Sequence, residues 1–80
     1  MRARWDETNV GLALHTAEKG WVYMGWVEPS NSTGFSVFCC WMDNGEYPEN
    51  KRFDTAKEAR RALKACAIVA IIGGFRGLNA

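Results

Sequence analysis

Three segments in the first half of the chain have the hydrophobic pattern of β-strands. Residues 10–16 alternate apolar with small or polar side chains, residues 21–28 are rich in aromatic and branched side chains, and residues 35–42 are largely apolar. A tight connection at residues 17–20 and a loop rich in Ser and Asn at residues 29–34 separate them. The pattern therefore predicts three successive strands.

The second segment decides which aromatic side chains share a face of the sheet. Side chains alternate between the two faces of a strand. Strict alternation puts one set of three on one face and a second set on the other: Trp21, Tyr23 and Val27 against Val22, Met24 and Trp26. A single helix covers only one face of a sheet, so one set lacks a cover. The alternation leaves open which face that is.

A fourth strand follows a predicted hairpin turn. Asp43–Glu46 contains Asn44-Gly45, and Asn-Gly between two strand-like runs favours a two-residue turn because both residues need positive φ. Residues 46–53 then form the return strand. Pro48 cannot donate a hydrogen bond to a neighbouring strand, so this strand is expected at an edge or to be short.

A helix is predicted from Thr55 to Ile72. Thr55-x-x-Glu58 is a capping box, and glycines follow Ile72. Residues at three- and four-residue steps form the inward stripe: Ala56, Ala59, Leu63, Cys66 and Ala70. Four basic side chains share the opposite face: Lys57, Arg60, Arg61 and Lys64.

The end of this helix admits two interpretations. Residues 65–72 are apolar all round, and four of them are β-branched, which suits a strand beginning after Ala65. No Gly or Pro interrupts the segment, which favours one continuous helix. A helix on a sheet buries only a stripe, so four side chains are expected to form a homodimer interface: Ile68, Val69, Ile71 and Ile72. The rival is a monomer in which the tail with Phe75 and Leu78 covers them.

Together these elements predict an α+β fold. Residues 1–80 form a single small domain, in which an antiparallel meander of three to four strands packs against one C-terminal helix. The longest apolar run, residues 65–72, is too short to span a membrane. The odd cysteine count, with Cys39 and Cys40 adjacent, is not a disulfide framework; we expect reduced thiols and a cytoplasmic protein.

Catalytic chemistry has no recognisable motif in the sequence. His15 is the only imidazole, no C-x-x-C pair is present, and no glycine loop precedes a helix in the manner of a phosphate site. We therefore expect no enzymatic activity, no metal and no cofactor.

Partner binding is the expected function, and two groups of residues are its candidates. Trp21, Tyr23 and Trp26 lie in an aromatic-rich strand, and Trp and Tyr dominate binding energy at interfaces. The basic helix face, Lys57, Arg60, Arg61 and Lys64, suits an anionic partner, either a phosphate backbone or an acidic protein. The net charge of the chain is only +1, so no strong overall field attracts nucleic acid.

The run Arg52-Phe53-Asp54-Thr55-Ala56-Lys57-Glu58-Ala59 joins the last strand to the helix. It resembles the corresponding segment of plant ethylene-response-type DNA-binding domains, and with Arg60 it is similar to the arm-binding domains of phage integrases. The resemblance implies a sheet that enters the DNA major groove and carries Arg and Lys on its strands. Residues 21–28 and 35–43 contain neither, so the resemblance supports the fold and not DNA reading.

In size and character the chain also resembles the small inhibitors that phages and mobile elements encode, including anti-CRISPR proteins. We therefore expect a non-enzymatic protein that blocks or modulates a protein or nucleoprotein complex. A small nucleic-acid-binding domain that uses the basic helix face is the alternative.

Overall fold

One antiparallel sheet and one helix make up the described part of the chain, which in this computed structural model is residues 2–8, 10–30, 33–41 and 52–73. The strands are β1 (Ala3–Trp5), β2 (Gly11–Thr16), β3 (Gly20–Pro29), β4 (Phe35–Cys39) and β5 (Arg52–Phe53), and helix α1 is Ala56–Ile72. The strands pair in chain order. The predicted α+β meander against a C-terminal helix is confirmed, with five strands where three to four were expected.

The additional strand is β1 at the N-terminal edge. Ala3 pairs with Leu14 and Trp5 with Leu12, and the carbonyl of Arg2 accepts a hydrogen bond from the His15 backbone N–H at 2.9 Å. A strand of three residues is too short to show a period of two, which is why the hydrophobic pattern did not predict it.

A β-bulge in β3 changes which side chains share a face. Leu12 pairs with Gly25, but the next residue of β2, Ala13, pairs with Tyr23, so Met24 is an extra residue in β3. Residues that pair across strands point to the same face. Beyond the bulge the alternation is therefore reversed relative to the segment before it.

The face assignment from strict alternation is consequently wrong after Met24. Trp26, which was expected opposite Tyr23, pairs with Gly11 and lies on the same face as Tyr23 and Trp21. Val27 pairs with Val37, and both are buried on the helix side. Trp21, Tyr23 and Trp26 thus share one face, and Val22, Met24 and Val27 share the other.

Only glycine fits at position 25 beside the bulge. Gly25 has φ +156°, and a Cβ there would overlap the carbonyl oxygen of Phe38 in β4 and lie 3.2 Å from the Leu63 side chain in α1. The missing side chain lets β3 and β4 pair closely and lets Leu63 pack onto the sheet.

The core lies between α1 and one face of the sheet. Its buried side chains, none more than 7% exposed, are Leu12, Leu14, Met24, Val27, Val37, Cys39, Trp41, Ala59, Leu63, Ala67 and Ala70. The helix contributes three alanines and a single leucine to this set, so it approaches the sheet closely. Of the predicted inward stripe, Ala59, Leu63 and Ala70 are buried, whereas Ala56 and Cys66 are half-buried.

Helix α1 is continuous to Ile72, so the alternative of a strand after Ala65 is wrong. Its N-cap is Thr55, whose hydroxyl oxygen accepts from the Glu58 backbone N–H at 3.1 Å and donates to the Glu58 carboxylate at 3.1 Å. The predicted Asn44-Gly45 turn, the return strand before residue 52 and the tail after Gly73 lie outside the described residues.

We expect Gly25→Ala to destabilise the protein severely, by about 3 kcal/mol or more, because the new methyl group collides with the backbone of β4. Gly20→Ala is the matched control. Gly20 also has positive φ, +72°, but nothing lies within 4 Å of a Cβ there, so only the backbone strain of about 1 kcal/mol remains. Urea unfolding followed by tryptophan fluorescence measures both, and equal losses would contradict the bulge argument.

Candidate functional site: the outer face of the sheet

The face of the sheet turned away from α1 is called the outer face here. The register places the following residues on it: Arg4, Gly11, Ala13, His15, Trp21, Tyr23, Trp26, Glu28, Ser36, Phe38 and Arg52. The Cα atoms span 39 × 31 × 15 Å, and the smallest extent is that of one sheet and one helix. Among the described elements none covers the outer face, which leaves Trp21 38% and Tyr23 54% exposed.

Two arginines and a histidine surround Trp21 and form what we call the Arg–Trp cluster: Arg2, Arg4, His15 and Trp21. The guanidinium carbon of Arg4 lies 4.3 Å from the centre of the Trp21 ring, and that of Arg2 lies 5.5 Å from it. The His15 ring meets Trp21 edge-on, 5.2 Å between centres and at 78°. A guanidinium on an aromatic face keeps its N–H edges free for other acceptors.

Neither arginine of the cluster has an acidic partner within the described residues. Their backbone is nevertheless fixed, because β1 is paired with β2 from Ala3 to Trp5 and the Arg2 carbonyl accepts from the His15 N–H. The outer face therefore presents two cations, both against the Trp21 ring, at the Trp21 end of β3.

Tyr23 is the next outer-face residue of β3 after Trp21, and its ring lies over Gly11 of β2. The position that a Cβ would take on Gly11 is 3.0 Å from Tyr23 Cε1 and 2.8 Å from Asp6 Oδ2. The ring and the carboxylate therefore occupy the space that a side chain at residue 11 would fill. Burial raises the pKa of Tyr23, and the nearby Cys40 and Asp6 raise it further, so the phenol remains protonated at neutral pH.

Asp6 closes the connection between β1 and β2. Its Oδ1 accepts hydrogen bonds from the Thr8 N–H at 3.1 Å, the Thr8 hydroxyl at 2.8 Å and the Val10 N–H at 2.9 Å. Its Oδ2 accepts from the Gly11 N–H at 3.0 Å. These bonds, that from Val10 foremost, lower the pKa of Asp6, so the outer face carries a fixed negative charge beside Tyr23.

A stacked aromatic pair continues the outer face towards β4. Trp26 and Phe38 are cross-strand partners, with ring centres 5.1 Å apart and an interplanar angle of 10°. Glu28, exposed, lies two residues further along β3. At the far edge Arg52 Nε donates to the Ser30 hydroxyl at 2.7 Å, which ties β5 to the end of β3.

The basic helix face lies on the opposite side of the molecule, because α1 covers the inner face of the sheet. Lys57, Arg61 and Lys64 are exposed, whereas Arg60 is half-buried. Arg61 shares an open depression with Glu58, Asp54 and Arg52, among other residues, so its surroundings are of mixed charge. The structure therefore separates the two predicted partner-binding groups into two surfaces.

Only half of the predicted oligomer interface is exposed. Ile68 and Ile71 pack partly against the core, whereas Val69 is 69% and Ile72 is 76% exposed. One helical stripe thus remains without a partner among the described residues, and it consists of Val69 and Ile72.

The cysteines are all free thiols, as expected. Cys39 is buried in the core, where desolvation and the neighbouring Cys66 raise its pKa to about 12. Burial also raises the pKa of the exposed Cys40. Raised pKa values leave these thiols protonated and weakly nucleophilic at neutral pH.

The described residues contain neither a metal-ligand group nor a membrane-spanning helix. In the described ranges, no group of three or more His, Cys, Asp or Glu side chains is arranged to hold a metal ion. No helix among the same residues combines the length and the apolar character that crossing a membrane requires.

Sequence reasoning missed the residues that give the outer face its charge. Arg4 lies in the short strand β1 and Arg2 beside it, and the hydrophobic pattern did not predict this strand. The alternation Arg2-Ala3-Arg4-Trp5 was the available signal, because it places both arginines on one side of an extended chain.

Comparison with known proteins adds no relative to this description. No protein-family model matches the chain, and no curated protein or solved structure is significantly similar to it.

We expect Asp6→Asn to lower stability at pH 7, because the amide nitrogen that replaces one oxygen cannot accept from a backbone N–H. Asp6 has a lower pKa in the folded chain than its usual 3.8. Its contribution is therefore fully present above that value and is lost as the pH falls through the lower folded pKa. Urea midpoints at several pH values measure this.

The difference between wild type and Asp6→Asn should shrink below pH 3.8, the usual value for the group. Glu7→Gln, a change at the exposed neighbouring carboxylate, is the control and should show little difference at either pH. If Asp6→Asn lowered stability equally at pH 7 and below pH 3.8, the hydrogen bonds of the ionised carboxylate would not be the source of the loss.

Proposed function

We propose that this protein is a non-enzymatic binding protein whose outer face binds a macromolecular partner, a protein or a nucleoprotein complex. One observation carries the proposal: the bulge at Met24 brings Trp21, Tyr23 and Trp26 onto the same face of the sheet, which no other element among the described residues covers. Large aromatic side chains that remain exposed on a small domain mark interaction surfaces.

The composition of the outer face supports this proposal. Trp, Tyr and Arg are the residues enriched at the energetic centres of protein interfaces, and the Arg–Trp cluster and Tyr23 supply all three. The rings are also held in place: Trp21 by Arg4 and His15, and Trp26 by Phe38. Ordered side chains lose little conformational entropy on binding, which favours affinity.

Such a protein acts by occupying a surface of its partner. Its small size and aromatic strands are those of inhibitors that phages and mobile elements direct against host defence complexes, of which anti-CRISPR proteins are one kind. We place its action in the cytoplasm, where its thiols stay reduced.

Nucleic-acid binding at the basic helix face is the second candidate. It is favoured by the exposure of Lys57, Arg61 and Lys64 on one side of α1. Against it stand Glu58 and Asp54, which lie beside Arg61 and repel phosphate.

We expect Tyr23→Ala and Trp26→Ala each to weaken partner binding by about 2 kcal/mol, roughly thirtyfold in Kd. Tagged wild type and variants are used to capture proteins from bacterial lysate, followed by mass spectrometry, and the affinity for the captured protein is then measured by interferometry. Lys19→Ala, in the exposed turn between β2 and β3, is the control and should bind like wild type.

Equal capture by the wild type and both aromatic variants would contradict the proposal. Retardation of duplex DNA in a low-salt gel, lost when Lys57 and Arg61 are changed to Gln, would instead support the second candidate. Binding to phosphate weakens steeply with added salt, so a repeat of the gel at higher salt identifies that mode.

We further propose a two-fold homodimer in which the exposed stripe of Val69 and Ile72 packs against its copy. Leaving a large aliphatic side chain in water forgoes about 1.5–3 kcal/mol of burial, and a two-fold dimer is the commonest closed assembly. The exposed fractions of Val69 and Ile72, 69% and 76%, support this surface.

Light scattering should give a mass near 18 kDa, twice the 9.0 kDa of the chain. Ile72→Asp should give a folded monomer, because it places a charge in the apolar contact, whereas Lys64→Asp, on the polar side of α1, should leave the mass unchanged. A wild-type monomer at high micromolar concentration would contradict the dimer.

A further inference from the structure

We propose that the Arg–Trp cluster is an anion-recognition site that takes a carboxylate side chain of an acidic protein partner. The inference rests on the proposed function of the outer face and names the chemistry that this face recognises. It concerns the two arginines, which the aromatic argument for the outer face does not require.

The cluster has the geometry of an anion site. Arg4 and Arg2 lie 4.3 and 5.5 Å from the centre of the same indole ring, so both cationic groups lie at the Trp21 end of the face. Neither has an acidic partner among the described residues. Two cations beside one ring, neither of them in an ion pair with a described residue, attract an anion, and the planar donor edges of guanidinium match the two oxygens of a carboxylate or a phosphate.

The site is also ordered before binding. Arg4 pairs with Ala13, and the Arg2 carbonyl accepts from the His15 N–H, so both arginines lie on backbone that is fixed to β2. The His15 ring packs against the same Trp21 ring, with 5.2 Å between the ring centres. An incoming anion therefore meets donors whose positions are already restricted, which lowers the entropy lost on binding.

The remaining charges of the outer face favour a protein carboxylate over a nucleic-acid backbone. The Asp6 carboxylate lies beside Tyr23, and its lowered pKa keeps it ionised. Glu28 is exposed further along β3. A phosphate chain laid along β3 from Trp21 would meet both negative charges, whereas a protein segment places a single carboxylate over Arg2 and Arg4 and apolar side chains over Tyr23 and Trp26.

The partner segment that fits is therefore an acidic residue next to apolar residues. Its carboxylate binds the Arg–Trp cluster, and its apolar side chains pack on Tyr23 and on the Trp26–Phe38 pair. The ring of Tyr23 is the most exposed of these surfaces, at 54%, and is the next aromatic side chain along β3 from Trp21.

The test uses three probes at physiological salt: an octapeptide with a single Glu next to Leu residues, the same peptide with Gln in place of that Glu, and a ten-residue oligothymidine. Binding is followed by the NMR signals of the Arg2 and Arg4 Nε–H groups and the Trp21 indole N–H. The acidic peptide should shift these signals and reach saturation, and the other two probes should leave them in place.

Variants separate the cluster from general charge attraction. Arg4→Gln should lower the affinity for the acidic peptide about tenfold, which is the loss expected for one charge-assisted contact. Lys19→Gln removes the same charge from the exposed turn and should change the affinity less than twofold. Arg4→Lys keeps the charge but lacks the planar donors, and it should restore only part of the affinity.

Three results would overturn the inference: oligothymidine binding as tightly as the acidic peptide, equal binding of the Glu and Gln peptides, or equal effects of Arg4→Gln and Lys19→Gln. If the aromatic variants lose a captured partner while the acidic peptide does not bind, the outer face remains the interface and the carboxylate assignment fails. The two proposals are therefore tested separately.

Discussion

The extra residue in β3 is the constraint on which the surface of this protein depends. With Met24 accommodated as a bulge, the Met24 carbonyl accepts from the Cys40 N–H at 2.9 Å, and Gly25 leaves room for both the Phe38 carbonyl and Leu63. Without the bulge, Trp26 would turn into the core and Val27 would turn to the surface. The same irregularity thus supplies an aliphatic side chain to the helix side and a third aromatic ring to the outer face.

The edge strand β1 changes the character of that face from aromatic to charged and aromatic. It is held by three paired residues, by the His15–Arg2 backbone bond and by the hydrogen bonds that Asp6 accepts at its end. The position of the Asp6 carboxylate in the connection between β1 and β2 has two effects. It closes the connection that positions Arg4, and it leaves a negative charge beside Tyr23, so the arrangement of charges on the outer face is a product of the turn.

The sequence predicted those elements in which local pattern and tertiary packing agree. The helix from Thr55 to Ile72 was predicted from its capping box and from the small apolar residues that recur at three- and four-residue steps. One face of the sheet is enough to bury the stripe that these residues form. The pairing between strands could not be predicted in this way. The bulge depends on the close contact between Gly25 and the Phe38 carbonyl, and these two residues are far apart in the chain. Alternation carries no information about that contact, so the face of Trp26 was predicted wrongly although Trp26 itself was chosen as a candidate. Arg2 and Arg4 were missed for a related reason: a strand of three residues gains its stability from its neighbour, not from its own pattern.

The Arg–Trp cluster also bears on how a two-layer protein keeps a large aromatic face in water. Among the described residues, one helix buries one face of the sheet and no further element lies over the other. Guanidinium groups stacked on Trp21 reduce its contact with water while their N–H edges remain hydrated. They limit the contiguous apolar area to Tyr23 and the Trp26–Phe38 pair, which lowers the tendency of the free protein to associate through this face. On the proposed function, a partner that supplies a carboxylate replaces the water on those N–H edges and keeps the stacking intact, so the groups that protect the free surface are the same groups that select the partner.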